Sequence, residues 1–482
     1  MIVSHSIRIL VGSAALAVAG WGFLLLIDAW RRLGRWSRLA VALLAGQALF
    51  LTVAPLLLYA GLSVSPVIVL PLVGLVAVAG LLAARRRGPL PASPRGGDRS
   101  GTTALVGVAL VAAPLLVLAV RAVLKPLYQI DTMLNWAMKA KVIWAGGHHV
   151  TGVLDHRVFA SPDLHPQAHL EYPIGMNALL AWSFHWMGTA DVRVMHLQLV
   201  VLVAAAAGTS WAVLRPIVPD LPLALGLAGL LTMPAVVNQL LTAYADVPLA
   251  FVWAVGALVL MRWAAEGERY LLGLATLLLA ASLAVKQDGT FYVAAIYVGV
   301  AAPLLLRERR RVRELLASAG IVVLTAVPWN VYSAAHHLSR KDIRPGLARM
   351  RAQTGDLPPT FEGIFHVLTN PRTTLSAVPL AVALALVCVV RRRRTEAVPF
   401  LISLALVVLA IVLIYWNNVV TLRIVLLPAL QRILMGLVVL AWLLVPPLAY
   451  AALASQDTYD ETAAGGAAPA SGGRRVRAES RP

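Results

Sequence analysis

The sequence predicts an all-α, polytopic transmembrane protein of about 13 spans, since a bilayer core of about 30 Å takes roughly 20 apolar residues as helix. Three observations carry this. Of the 482 residues 60% are hydrophobic and only 13% charged, with mean hydropathy +0.79; a soluble chain of this size carries roughly 25% charged residues. The apolar residues form long runs, too long for barrel strands, and lipid leaves helices as the remaining way to satisfy the backbone. Finally, 41 Lys and Arg oppose 22 Asp and Glu, a formal +19, and the arginines cluster between the runs. They read as cytoplasmic anchors rather than as a nucleic-acid-binding face, which also excludes an ordinary soluble enzyme and a disordered chain.

In chain order the runs lie near 8 to 28, 39 to 60, 65 to 84 and 103 to 124. After a polar interval they resume near 192 to 214, 222 to 241, 246 to 264, 270 to 286, 289 to 306 and 315 to 333, then 375 to 390, 398 to 416 and 425 to 450. The first run lacks a small-residue cleavage site and is read as a retained helix. Cys388 is the only cysteine, so no intrachain disulfide and no cysteine-based zinc site can form; it reads as a small core residue.

Orientation follows from arginine. Arg31, Arg32, Arg35 and Arg38, then Arg85 to Arg87 with Arg95 and Arg99, then Arg307 to Arg313, then Arg391 to Arg394 are all expected on the cytoplasmic side. Alternate crossings through these anchors put the N-terminus outside, the tail inside, and residues 125–191 and 335–374 outside. Parity then forbids 173–188 from crossing, so it is expected as an interfacial or partly embedded helix with Trp182 and Trp186 at the boundary.

The organisation expected is three N-terminal helices with a cytoplasmic linker (1–101), a transmembrane module with a large first outer loop (102–334, loop 125–191), a second outer loop with the C-terminal helices (335–450), and a disordered cytoplasmic tail (451–482), poor in large apolar residues.

Ionisable residues at or within spans are costly and point to function. Four places stand out. Asp131, Asn135 and Lys139 are four apart, one face of a helix, next to Trp136 and Lys141; the plain alternative is a helix-terminal acid with an exposed bridge to Lys139. Tyr244 and Asp246 open a span with Pro248 close behind, where an N-cap role for Asp246 competes. Lys286, Gln287, Asp288 and Gly289 interrupt two apolar runs, which a tight turn with a local ion pair would also explain. Arg423 and Arg432 fall within the last span; Arg432 is expected to face protein, water or an anion, while Arg423 could snorkel. The first outer loop carries His148, His149, His156, His165 and His169, five of 11 histidines, with Asp155, Asp163 and Glu171. Such groups can hold a divalent metal, although the spacing fits no metal motif; metal dependence stays open, as does any other cofactor.

Together, Asp131 with Asn135, Trp136, Lys139, Ala140 and Lys141, then Glu171, Tyr172 and Pro173, then Ala245 to Leu249, then Lys286 to Gly289, resemble the bacterial membrane glycosyltransferases of the GT-C superfamily, which includes protein O-mannosyltransferases and aminoarabinose transferases. The resemblance spans residues 103 to 333, seven of the expected helices. It implies transfer of a sugar, with inversion, from a polyprenyl-phosphate donor to a glycan, lipid or protein acceptor at the outer face of the plasma membrane. It implies Asp131 as general base and Asp246 as a second, orienting acid. Lys286, with Arg423 and Arg432, is expected on the donor phosphate. Substrate contacts are expected from Asn135, Trp136, Lys139, Glu171, Tyr172, Tyr244 and Asp288. The chain differs from the family in lacking an acid beside Asp131 and in having Gln287 and Asp288 where a small polar residue and a glutamate are expected. The competing function class is a secondary transporter or lipid flippase, though no repeated halves are visible; a third is a noncatalytic envelope scaffold.

Overall fold

A computed structural model describes residues 1–34, 37–88, 101–125, 127, 129, 131–146, 171–336, 338, 347–391, 396–416 and 429–453. Arg35, Arg95, Arg99, Arg392 to Arg394, Arg423, the five loop histidines with Asp155 and Asp163, and the tail from 454 onward lie outside them. The described residues are helical and contain no strand.

Each of the thirteen apolar runs contains helix. Among the described residues, ten helices are long and apolar enough to cross a membrane: α1 Ile2–Leu26, α2 Ser37–Tyr59, α3 Pro66–Arg86, α4 Thr102–Leu124, α7 His196–Leu214, α10 Asp246–Glu266, α12 Gly289–Arg307, α13 Arg309–Ala335, α16 Ala397–Trp416 and α17 Met435–Leu453. The run near 222 to 241 is a broken pair, α8 Asp220–Thr232 and α9 Pro234–Leu240, bent by 53°. Pro234 causes the break: it has no N–H to give to the turn before it. Two runs are shorter helices, α11 Arg269–Val285 and α15 Ala377–Val390. Two further short helices, α5 Met138–Gly146 and α6 Gly175–Met187, follow α4, and α14 Leu357–Thr369 precedes α15. The chain is therefore a multi-pass helical membrane protein.

Hydrophobic pattern assigns each helix its place. α10 is apolar on every face and is buried at every position from Asp246 to Trp263, as an all-round apolar helix must be. α4 instead exposes Leu105, Val108, Leu116 and Val117, and α13 exposes Leu316, Val323, Leu324 and Val331. Apolar surface of this extent is suited to lipid and not to water. One continuous core runs from Ile9 to Ala452, so α1 and α2 pack into the same body as the later helices. Where α1 crosses α2, a Cβ on Gly46 would lie 1.8 Å from the Leu16 carbonyl oxygen; small residues allow this close approach of membrane helices.

The helix expected within 173–188 is present and too short to cross, and the correction concerns what covers it, which is protein and not the membrane interface. α6 is buried on nearly all sides, with Trp182 at 0% exposure, its ring against Phe50 and Trp186 and its Nε1 donating to the Gly12 carbonyl at 3.3 Å. Thirteen residues cannot cross a bilayer, and apolar faces all round are satisfied only by packing between other helices.

The two ends of the bundle differ. At one end, Arg32 pairs with Glu268, and Arg87 Nη1 donates to the Leu25 carbonyl at 2.8 Å. There too Arg311 Nη1 donates to the Ala264 carbonyl at 2.8 Å, and Arg391 donates to the Ala452 carbonyl. Arginines from four separate clusters thus share one end, where Arg87, Arg311 and Arg391 cap helix C-termini. The opposite end gathers Asp131, Asp246, Lys286 and Arg432.

Candidate functional site

Four chain segments, each next to a helix end, build the site. The first follows α4. Residues Thr132–Ala137 form a π-helical turn that runs into α5, a wide turn often found at functional sites. Asn177 of α6 fastens it: its Nδ2 donates to the carbonyls of Asn135 at 3.1 Å and Trp136 at 2.9 Å. Thr132 donates its hydroxyl to the Thr242 carbonyl in the second segment. Asn135 stays on the Asp131 face, Nδ2 to Oδ1 3.4 Å. Lys139 is not exposed as a surface bridge would require; its exposure is 0%.

The second segment turns from α9 into α10. Ala243 has φ +55°, a left-handed conformation costing about 1 kcal/mol for a residue with a Cβ, and such strain collects at functional sites. Asp246 does not cap α10. Ala245 occupies the cap position without a side-chain bond, and the Asp246 carboxylate, 1% exposed, points to Lys286 and Arg432. In the third segment α11 passes to α12 through Lys286, Gln287 and Asp288. A Cβ on Gly289 would lie 2.4 Å from the Ser282 carbonyl, so the tight return that aims Lys286 inward requires glycine. In the fourth, helical residues 429–433 lead into α17 and carry Arg432, ahead of the span rather than deep within it. Tyr292 of α12 donates its hydroxyl to the Ile433 carbonyl and so anchors this segment.

The side chains join in one chain of ion pairs. Arg432 Nη2 donates to Asp131 Oδ2 at 2.6 Å and its Nε to Asp246 Oδ2 at 3.1 Å. Lys286 Nζ lies 2.7 Å from Asp246 Oδ1 and 2.7 Å from Asp288 Oδ2. The local Lys286 and Asp288 pair is thus present, but the lysine also reaches across to α10. The order is Asp131, Arg432, Asp246, Lys286, Asp288. Asp246 is the buried centre, and Asp131 and Asp288, 25% and 20% exposed, are the open ends.

Aromatic rings fix the cations. The Arg432 guanidinium sits 4.0 Å from the Tyr244 ring centroid, and Lys286 Nζ 5.7 Å from that of Tyr172, within cation–π range. Tyr172 stacks on Trp136 with centroids 6.0 Å apart. Burial pushes the Tyr172 phenol above its ordinary range. Burial likewise lowers the Lys139 ammonium from 10.5 to about 7, against the opposing pull of Glu171 and Asp131.

Every expected site residue among the described ones therefore lies in or beside one cluster; Arg423 lies outside the described residues. A metal does not fit what is described: no group of three His, Cys, Asp or Glu could hold one among the described residues, and both oxygens of Asp246 already face cations. Sequence reasoning missed Asn177 and Tyr292, and gave no role to Thr132 or Gly289 within their motifs. Asn177 had a signal, a single amide in an otherwise apolar stretch; the importance of the other three lies in contacts across the fold. Comparison of the chain with models of protein families, with curated proteins and with solved structures finds no match.

Proposed function

We propose that the chain is a glycosyltransferase of the GT-C type, which transfers a sugar from a polyprenyl-phosphate donor to a glycan, lipid or protein acceptor at the outer face of the plasma membrane. The observation that carries this reading is the single ion-pair chain in which Arg432 and Lys286 join three of the four sequence segments resembling that superfamily, the fourth meeting it through the Tyr172 ring beside Lys286. Asp131 is the base, Lys286 and Arg432 hold the donor phosphate, and Asp246 orients both cations. In the reaction Asp131 takes the proton of the acceptor hydroxyl as its oxygen bonds to the anomeric carbon. The bond from that carbon to the phosphate oxygen breaks with its electron pair, and polyprenyl phosphate leaves into the cationic groups. Attack opposite the leaving group inverts the anomeric centre.

Two unpaired groups add support. Among the described residues, Asn135 Oδ1 and Trp136 Nε1 are buried without a hydrogen-bond partner, an acceptor and a donor of the kind a sugar's hydroxyls satisfy. The transporter reading draws on the broken span α8 and α9, but the ion pairs lie at helix ends and not at that break. The test is purified protein in vesicles with a panel of radiolabelled polyprenyl-phosphate sugars and envelope extracts. Labelled glycoside is expected from the wild type and none from Asp131→Asn. Unchanged turnover by that variant removes Asp131 as base, and movement of the lipid without chemical transfer favours the flippase.

A further inference from the structure

We propose that the ion-pair chain is an exchange device: the phosphate of a polyprenyl-phosphate ligand takes the places of Asp131 and Asp288 on Arg432 and Lys286, and Asp131 is released in the act. This rests on reading the site as a donor-phosphate site.

Geometry requires some such step. With Asp131 at 2.6 Å from Arg432, base and phosphate ligand touch, so no sugar fits between them. Inversion needs them on opposite sides of the anomeric carbon. The donor must part them.

The structure also fixes which contacts part. Each cation has one buried and one partly exposed carboxylate: Arg432 holds Asp246 at 1% and Asp131 at 25%, and Lys286 holds Asp246 and, at 20%, Asp288. The outer pairs are within reach of water and are weak, as partly exposed pairs are; Asp246 is enclosed and stays. A carboxylate and a phosphate offer the same thing to a guanidinium, anionic oxygens at charge-assisted distance. Tyr244 under the guanidinium holds its plane while the partner changes. Three carboxylates face two cations in the chain, so an added anion without exchange would meet net repulsion. Once freed, the Asp131 carboxylate has oxygens open to an acceptor hydroxyl that Arg432 would otherwise occupy.

The test measures binding of a short-chain polyprenyl monophosphate to the full chain in neutral-lipid nanodiscs. Asp131→Asn is expected to bind about three- to tenfold tighter than wild type, the range set by losing one partly exposed competing pair. Asp288→Asn should shift affinity in the same direction and serves if the first variant does not fold. Arg432→Gln should bind at least about tenfold weaker, and the Asp131→Asn gain should vanish in its background, as coupling through one guanidinium demands. Unchanged or weaker binding by both asparagine variants overturns the exchange. A gain seen with inorganic phosphate and not with the lipid overturns the lipid headgroup as its source. Sugar transfer, assayed separately, distinguishes the failures. Unchanged affinity beside active transfer sinks the exchange alone, whereas tighter binding with no transfer by wild type sinks the transferase alone.

Discussion

The two ends of α10 carry buried ionic groups of opposite design. At its C-terminal end Arg262 lies between two acids, Glu396 at 3.0 Å and Glu266, with Arg262 and Glu396 at 7% and 5% exposure. Glu396 is enclosed and Glu266, at 26%, reaches the surface; the surrounding backbone is regular helix ending in left-handed Gly267, and the cluster pins α10 to the start of α16. At the N-terminal end Asp246 lies between two cations, each of which passes on to a partly exposed acid. There the backbone departs from regular structure, with the π turn and Ala243. Burial of charge alone therefore does not mark a site. Two cations shared by one buried acid, held by irregular and strained backbone, do.

The sharpest break of this comparison is Asp246→Asn against Glu396→Gln. Removing Asp246 leaves two cations without their buried partner, a loss of about 3–5 kcal/mol, and should abolish polyprenyl-phosphate binding. Glu396→Gln should lower thermal stability in detergent while leaving ligand affinity unchanged; lost affinity in a folded Glu396→Gln protein would end the distinction between the ends. Next in size, Gly289→Val forces a side chain against the Ser282 carbonyl and should cost about 1–3 kcal/mol, with affinity falling as Lys286 is displaced.

Lys139 gives a pH test. Its folded pKa, about 7, lies below the ordinary 10.5, so the folded state releases a proton that the unfolded chain keeps between these values. Stability should therefore rise with pH from about 7 to 10.5, and be lowest below 7 where the buried ammonium must stay charged. Lys139→Met should flatten that dependence, as followed by unfolding temperature across pH. The smallest expected effect on stability is that of Asp131→Asn, under about 1 kcal/mol because the pair is a quarter exposed, although the same change is expected to abolish sugar transfer.

The span ladder was legible because lipid admits few solutions: an apolar run of sufficient length becomes helix, and arginine clusters sort to one end. Asp131, Asp246 and Lys286 were legible by cost, as charges next to apolar runs. α6 was misread as interfacial because hydropathy measures how apolar a segment is, not whether lipid or protein covers it. Arg432 could be flagged as an arginine in the wrong place, but nothing local says that it bridges residues 131 and 246.

What the chain determined by itself was local and additive: helix from apolar length, sidedness from arginine, and costly charges at particular helix ends. What only tertiary structure decided was partnership. Asp246 is the buried centre and Asp131 the exposed end because α10 is wrapped by neighbours at its first turn, while Asp131 stands just ahead of the π turn that Asn177 fastens, with a quarter of its side chain open. Coulomb energy and desolvation depend on distance and surroundings in three dimensions, and neither is a property of any one segment.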